Sequence, residues 1–275
     1  MKRTVLIIVI FLLGVGLLAY PSVSNYIAEK NGSYAIDSYD EAIAEKDEEF
    51  LSAERQKAQK YNESLLGAPV RDPFIPGSGI VMQDDYYEIL NIGGMMGYIE
   101  IPKISIKLPI YHGTSEEVLK KGVGHLEGST LPIGGEGTHS VLTGHTGLSS
   151  AKLFTDLSVL QEGDLFYLYL LDEVLAYEVD EIRVIEPEQT TDLKPVSGED
   201  HCTLLTCTPY GVNSHRLLLR GTRVDYVPEI KESIAETQSS ADRMLMLAVI
   251  ITSGIMLILI TITIIVKRKQ LYKKQ

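Results

Sequence analysis

The sequence predicts a mostly β fold, a closed barrel or sandwich, preceded by a helical region and flanked by apolar segments suited to a membrane. Three observations predict it. From Tyr86 to Tyr226, short apolar runs stand between Gly and Pro turns. From Asn25 to Leu66, Ile36, Tyr39, Ala42, Ile43, Phe50, Leu51, Ala58, Tyr61 and Leu65 recur mostly at helical spacing. Uncharged apolar stretches, Val5–Tyr20 and Met244–Val266, lie near the two ends.

Val5–Tyr20 follows Lys2 and Arg3 and reads as a retained signal anchor, or as a signal peptide cut near Ser22–Ser24. The helical region after it fits two helices broken near Ser38–Asp40. Gly67–Gly79, with Pro69, Pro73 and Pro76, is loop chemistry. Tyr98–Ile101 alternates before Pro102, and Ile104–Ile110 alternates after it. Ser115–Lys121 and Ser149–Leu160 read as short helices between strands. Leu165–Leu171 and Val174–Ile185 flank Asp172-Glu173 as a hairpin, and His201–Thr208 and Arg216–Tyr226 supply two more strands.

Lys231–Ala241 is polar and reads as a stalk. Met244–Val266 is long enough to span a bilayer, and the cations Lys267, Arg268, Lys269, Lys273 and Lys274 follow it without an acid. The positive-inside rule then puts the C-terminus in the cytoplasm and the segment between the two apolar stretches outside.

Composition narrows the function. Of 275 residues, 45% are hydrophobic and 23% charged, which excludes a wholly disordered chain. Two cysteines exclude a disulfide-built mini-protein. The net charge is −12, and the external segment is more acidic still, which argues against nucleic-acid binding.

The two cysteines, Cys202 and Cys207, sit five apart on a strand-like run, on opposite faces and ~16 Å apart, too far for a disulfide. Cys207 ends its strand just before Pro209-Tyr-Gly211, where a side chain can meet a ligand. A turn centred between Gly211 and Val212 sets Cys207 opposite Arg216, and a guanidinium there stabilises a thiolate or an oxyanion. On spacing alone, a surface arginine on a strand is the commoner fate.

A thiol nucleophile needs a base, and His145 stands out in Thr143-Gly-His-Thr-Gly147. His201 and His215 read as structural or edge residues. His139 and His145 lack a third ligand at zinc spacing, so neither a metal nor a cofactor is expected.

Here the pattern becomes specific. Thr203-Leu-Leu-Thr-Cys-Thr-Pro-Tyr-Gly-Val-Asn-Ser-His-Arg-Leu-Leu-Leu-Arg-Gly221 resembles the active-site strand pair of sortases. Pro-Tyr-Gly after the cysteine and Asn-Ser-His before the arginine resemble the pilus-assembling class C. Gly97-Tyr-Ile-Glu-Ile-Pro-Lys-Ile104 is similar to the family's first barrel strand, and Val141-Leu-Thr-Gly-His-Thr-Gly147 to its catalytic-histidine segment.

The resemblance implies a sortase β-barrel of about eight strands. It implies Cys207 as nucleophile, His145 as acid/base and Arg216 as substrate and oxyanion stabiliser, with Arg220 a strand residue. The implied reaction cleaves an LPXTG-like sorting signal between Thr and Gly and passes the acyl group to a pilin lysine. Asp72-Pro-Phe74 resembles the class C lid, with Asp72 paired to Arg216 and the Phe74 ring covering Cys207. A fully covered ring would then hold the lid more firmly than a surface ion pair.

On this reading residues 1–24 are the cytoplasmic start and anchor, 25–66 the helical region and 67–85 the lid loop. Residues 86–228 form the catalytic barrel, 229–243 the stalk, 244–266 the transmembrane helix and 267–275 a cytoplasmic tail. The expected partners are pilin subunits and the membrane. A housekeeping-type sortase acting on a cell-wall precursor and a non-catalytic pilus scaffold remain as alternatives.

Overall fold

In a computed structural model of the chain, residues 2–65, 71–74, 85–148, 150–238, 244 and 247 are described. The alternating runs become eight strands: β1 (Gly97–Ile101), β2 (Ile106–His112), β3 (Val123–His125), β4 (Thr138–Thr143), β5 (Leu165–Leu170), β6 (Glu173–Ile185), β7 (Asp200–Thr208) and β8 (His215–Val224). They close into a barrel in the order β1-β2-β3-β4-β7-β8-β6-β5, which settles barrel against sandwich. The β2–β3 and β4–β7 pairs are parallel and the rest antiparallel. A parallel pair needs a crossover. The β2–β3 crossover carries a short helix at Glu116–Lys121, capped by the Ser115 hydroxyl, which accepts from Val118 N.

Ile99, Ile110, Leu142, Phe166, Leu168, Leu204 and Leu219 fill one core with residues from two N-terminal helices, α1 (Lys2–Ala44) and α2 (Glu48–Ser64). Ile36 and Tyr39 enter from α1, and Leu51, Ala58 and Tyr61 from α2. The Tyr39 hydroxyl donates to the Met96 carbonyl at 3.1 Å and accepts from Leu171 N at 2.7 Å.

That anchoring explains one departure from expectation. Ser38–Asp40 lies inside α1, and the break falls at Glu45–Asp47. There the Asp47 side chain accepts from Phe50 N at 2.9 Å, and Glu48 and Glu49 suit the positive end of the new helix. α1 runs without interruption through residues 24 and 25.

Three smaller corrections concern turns. The strand expected from Ile104 begins at Ile106, after a 3-10 turn over Pro102–Ile104 that ends with Ser105 in the left-handed region. Leu170 pairs with Glu173, so the hairpin turns at Leu171-Asp172, with Leu171 at φ 53°. Among the described residues of 149–160 only Thr155–Val159 is helical, as a 3-10 turn.

Met1–Val227 forms one compact unit and Pro228–Gln275 a second, in which residues 228–238 are helical where a stalk was expected. Among the described residues no helix is long and apolar enough to cross a membrane. The expected transmembrane helix 244–266, apart from Met244 and Leu247, and the tail 267–275 lie outside the described residues, as do most side chains of Val5–Tyr20. Of the expected lid loop, 71–74 and Asp85 are described.

Candidate active site

The strand register brings the site together. On β7, Cys202 and Leu204 belong to the barrel core, so by alternation His201, Thr203, Leu205 and Cys207 face outward. Cys207 pairs with Arg216 across the β7–β8 hairpin. On the other side, Thr143 of β4 lies beside Leu205 in parallel register, and Gly144 N donates to the Leu205 carbonyl, so the chain reaches His145 on the Cys207 side of that pair. Histidine, cysteine and arginine thus occupy one row across three adjacent chain segments, and both cysteines are free thiols.

Local packing holds the histidine segment in that row. Gly144 N donates to the Leu205 carbonyl at 3.1 Å, and the Thr206 hydroxyl donates to the Gly144 carbonyl at 2.7 Å. A Cβ on Gly144 would lie 2.7 Å from the Phe154 ring, so the glycine lets Phe154 pack against the backbone. Phe154 N in turn donates to the His145 carbonyl at 3.1 Å. Gly147, at φ +74°, donates to Thr155 Oγ1 at 3.1 Å and closes the turn.

Arg216 is buried, with Nη1 donating to the carbonyls of Asn213 (3.2 Å) and His215 (3.1 Å). Its Nη2 meets Asp72 Oδ2 at 2.7 Å. Its Nε is buried and has no hydrogen-bond partner among the described residues. An unfilled buried donor is costly, and a ligand carbonyl or oxyanion would satisfy it.

Asp72 Oδ1 accepts from Phe74 N at 2.9 Å, which fixes the bend at Pro73. The Phe74 ring then lies 5.6 Å from the His145 ring and 5.1 Å from Arg216 Cζ. Asp72 and Phe74 therefore meet the arginine and the histidine on either side of Cys207.

The electrostatics favour a neutral site in this arrangement. Burial pushes the Cys207 thiol up; Arg216 opposes this and Asp72 adds to it. Burial pushes His145 down, with Glu116 opposing and Lys120 adding. A thiol and a neutral imidazole are the resting forms.

The remaining candidates have other partners. His139 spends both ring nitrogens on Lys194 O and Thr203 Oγ1, so it is no metal partner for His145. His201 meets it edge-on at 5.5 Å. His215 is exposed beside Ser214, and Arg220 pairs with Asp180 and Glu181.

One feature escaped the sequence reading. Leu126, Val141, Ile185, Leu193, Leu205 and Leu218 form a second apolar cluster on the outer face of the barrel, with Phe74 packed against it. Its signal was present in the continuous runs Val141-Leu142, Leu204-Leu205 and Leu217-Leu218-Leu219, which mark strands covered on both faces.

Comparison with known proteins agrees with this geometry. The sortase domain family model matches residues 99–224. Sortase C-1 of Streptococcus pneumoniae superposes with a TM-score of 0.67 at 48% identity, over 70% of this chain and 100% of that one. Sortase C1 of GBS pilus island 1 superposes at 0.66 and 46% identity, over 71% and 93%. Sortase A of Bacillus anthracis is 25% identical over 226 residues, 80% of this chain and 94% of that relative.

Proposed function

The chain belongs to the sortase family and is a cysteine transpeptidase; from that premise we propose that it polymerises pilins, with Cys207, His145 and Arg216 as its catalytic residues. Cys207 gives its thiol proton to the neutral His145 and attacks the threonine carbonyl of an LPXTG-like sorting signal, with Arg216 holding the oxyanion. The Thr–Gly bond breaks as His145 delivers a proton to the glycine amine, leaving a thioester on Cys207. A lysine amine of the next pilin then attacks the thioester. His145 takes its proton and passes it to the departing Cys207 sulfur as the isopeptide bond forms, which restores the thiol and the neutral imidazole.

The observation that carries the pilus reading is the contact of Asp72 and Phe74 with Arg216 and His145. A site covered by its own chain must open before it is acylated, so Asp72 and Phe74 act as a lid in this reading. The higher identity to two C-type sortases, one of them from a pilus island, supports it over a housekeeping role. The barrel works outside the cell, with the apolar ends of the chain in the membrane and the C-terminus in the cytoplasm.

Incubating the full chain with a pilin that carries an LPXTG-like signal tests the proposal. Mass spectrometry should find an intersubunit lysine isopeptide bond, absent with Cys207→Ala. Transfer to a cell-wall precursor amine and never to a pilin lysine would support the housekeeping alternative instead.

A further inference from the structure

His139 takes no part in the proposed chemistry, yet it is almost wholly buried on the outer face of β4. Its Nδ1 lies 3.1 Å from the Lys194 carbonyl oxygen and its Nε2 2.7 Å from Thr203 Oγ1. A carbonyl only accepts, so Nδ1 carries the proton. Burial, with His201 and Arg220 adding to it, pushes the ring down to about 4, so at neutral pH Nε2 accepts from the Thr203 hydroxyl. The ring is thus oriented by β7 and presents one donor to the connection between β6 and β7, residues 186–199.

What that donor holds matters to the site. Lys194 directly follows a 3-10 turn, Thr191–Leu193, and Leu193 is buried in the outer apolar cluster with Val141, Leu205 and Leu218. Leu205 lies two residues from Cys207 on the same face of β7. Among the described residues the other side-chain tie on this turn, Arg183–Asp192 at 2.9 Å, is partly exposed and weak.

We infer that His139 is a positioning residue for the substrate groove: it holds the Lys194 carbonyl and so seats Leu193 in the apolar floor on which a sorting signal packs. The identity of the occupant rests on the transpeptidase reading; the clamp does not. His139 touches neither substrate nor Cys207 in this role and acts only through the 186–199 connection.

Two variants of the full chain test it. An asparagine amide reaches the place of Nδ1, whereas a glutamine amide reaches the place of Nε2. His139→Gln should therefore release the connection and His139→Asn should keep it. We expect amide exchange in residues 186–199 to rise on the order of tenfold in His139→Gln and to stay near wild type in His139→Asn. For a sorting-signal peptide, KM should rise by a similar factor in His139→Gln with kcat retained.

Equal exchange in all three proteins would overturn the clamp. Equal disturbance by both variants would also overturn it, since that marks a packing role. Faster exchange with an unchanged KM would overturn the link to the groove. If the wild type forms no thioester with any sorting-signal peptide, the transpeptidase reading falls, and the exchange comparison still decides the clamp.

Discussion

Asp72 and Arg216 meet at 2.7 Å with side chains only 3% and 7% exposed, next to the row that holds Cys207. A buried pair of this kind binds strongly only while both charges remain, because removing one leaves the other dry and unpaired. If Asp72 and Phe74 act as the proposed lid, the pair has an escape: the segment carrying Asp72 moves away and lets water or substrate reach the guanidinium.

Asp72→Asn should lower the pKa of the Cys207 thiol. The carboxylate raises that pKa, so removing its charge increases the thiolate fraction at any pH below the midpoint. Alkylation by iodoacetamide near neutral pH should accelerate roughly threefold or more, and the rate profile should shift to lower pH. An unshifted midpoint would show that Asp72 does not act on the thiol.

Asp72→Ala should open the site more than Phe74→Ala. The sequence suggested the opposite order, with a covered ring outweighing a surface ion pair. In the structure Phe74 is only partly buried, whereas the ion pair is the buried element. Loss of one partner of a buried pair costs about 3–5 kcal/mol where the charge cannot rehydrate, more than half-burial of a phenyl ring contributes. Alkylation rates of the two variants, each measured above the thiol midpoint, give the order directly.

Cys202→Ala should remain an active enzyme. Cys202 is fully buried in the barrel core, and burial holds its thiol far above the ordinary range. Its loss should cost roughly 1 kcal/mol in urea unfolding and leave acylation at the wild-type rate. Cys207→Ala should keep its stability and lose acylation entirely.

Arg216→Lys should lower acylation by roughly 10²-fold. The guanidinium addresses Asn213, His215 and Asp72 while keeping Nε as a further donor, and an ammonium cannot span those directions. Single-turnover acylation with a sorting-signal peptide checks this. A wild-type rate would reduce Arg216 to a structural residue.

The legible and illegible parts of this molecule divide by physical cause. The Cys207–Arg216 pairing could be counted across Pro209–Ser214, because an antiparallel hairpin carries its register in the local chain. The alignment of His145 with Cys207 could not, since β4 and β7 are parallel strands far apart in sequence and no turn fixes their register. His145 was reached through its flanking glycines and a motif instead. The break between α1 and α2 was misplaced because Ser38 and Asp40 look like cap residues, while the buried Tyr39 between them holds the helix to the barrel. The outer cluster around Leu193 was missed because its residues come from separate strands and a connection with little periodicity of its own.

The most direct measurement is peptide mapping by mass spectrometry of the full chain quenched in acid during turnover of an LPXTG-like peptide. The account predicts a thioester to the threonine carboxyl on Cys207, lost in Cys207→Ala and retained in Cys202→Ala. Peptide cleavage with the acyl group on any other residue, or with Cys207→Ala still turning over, would contradict it.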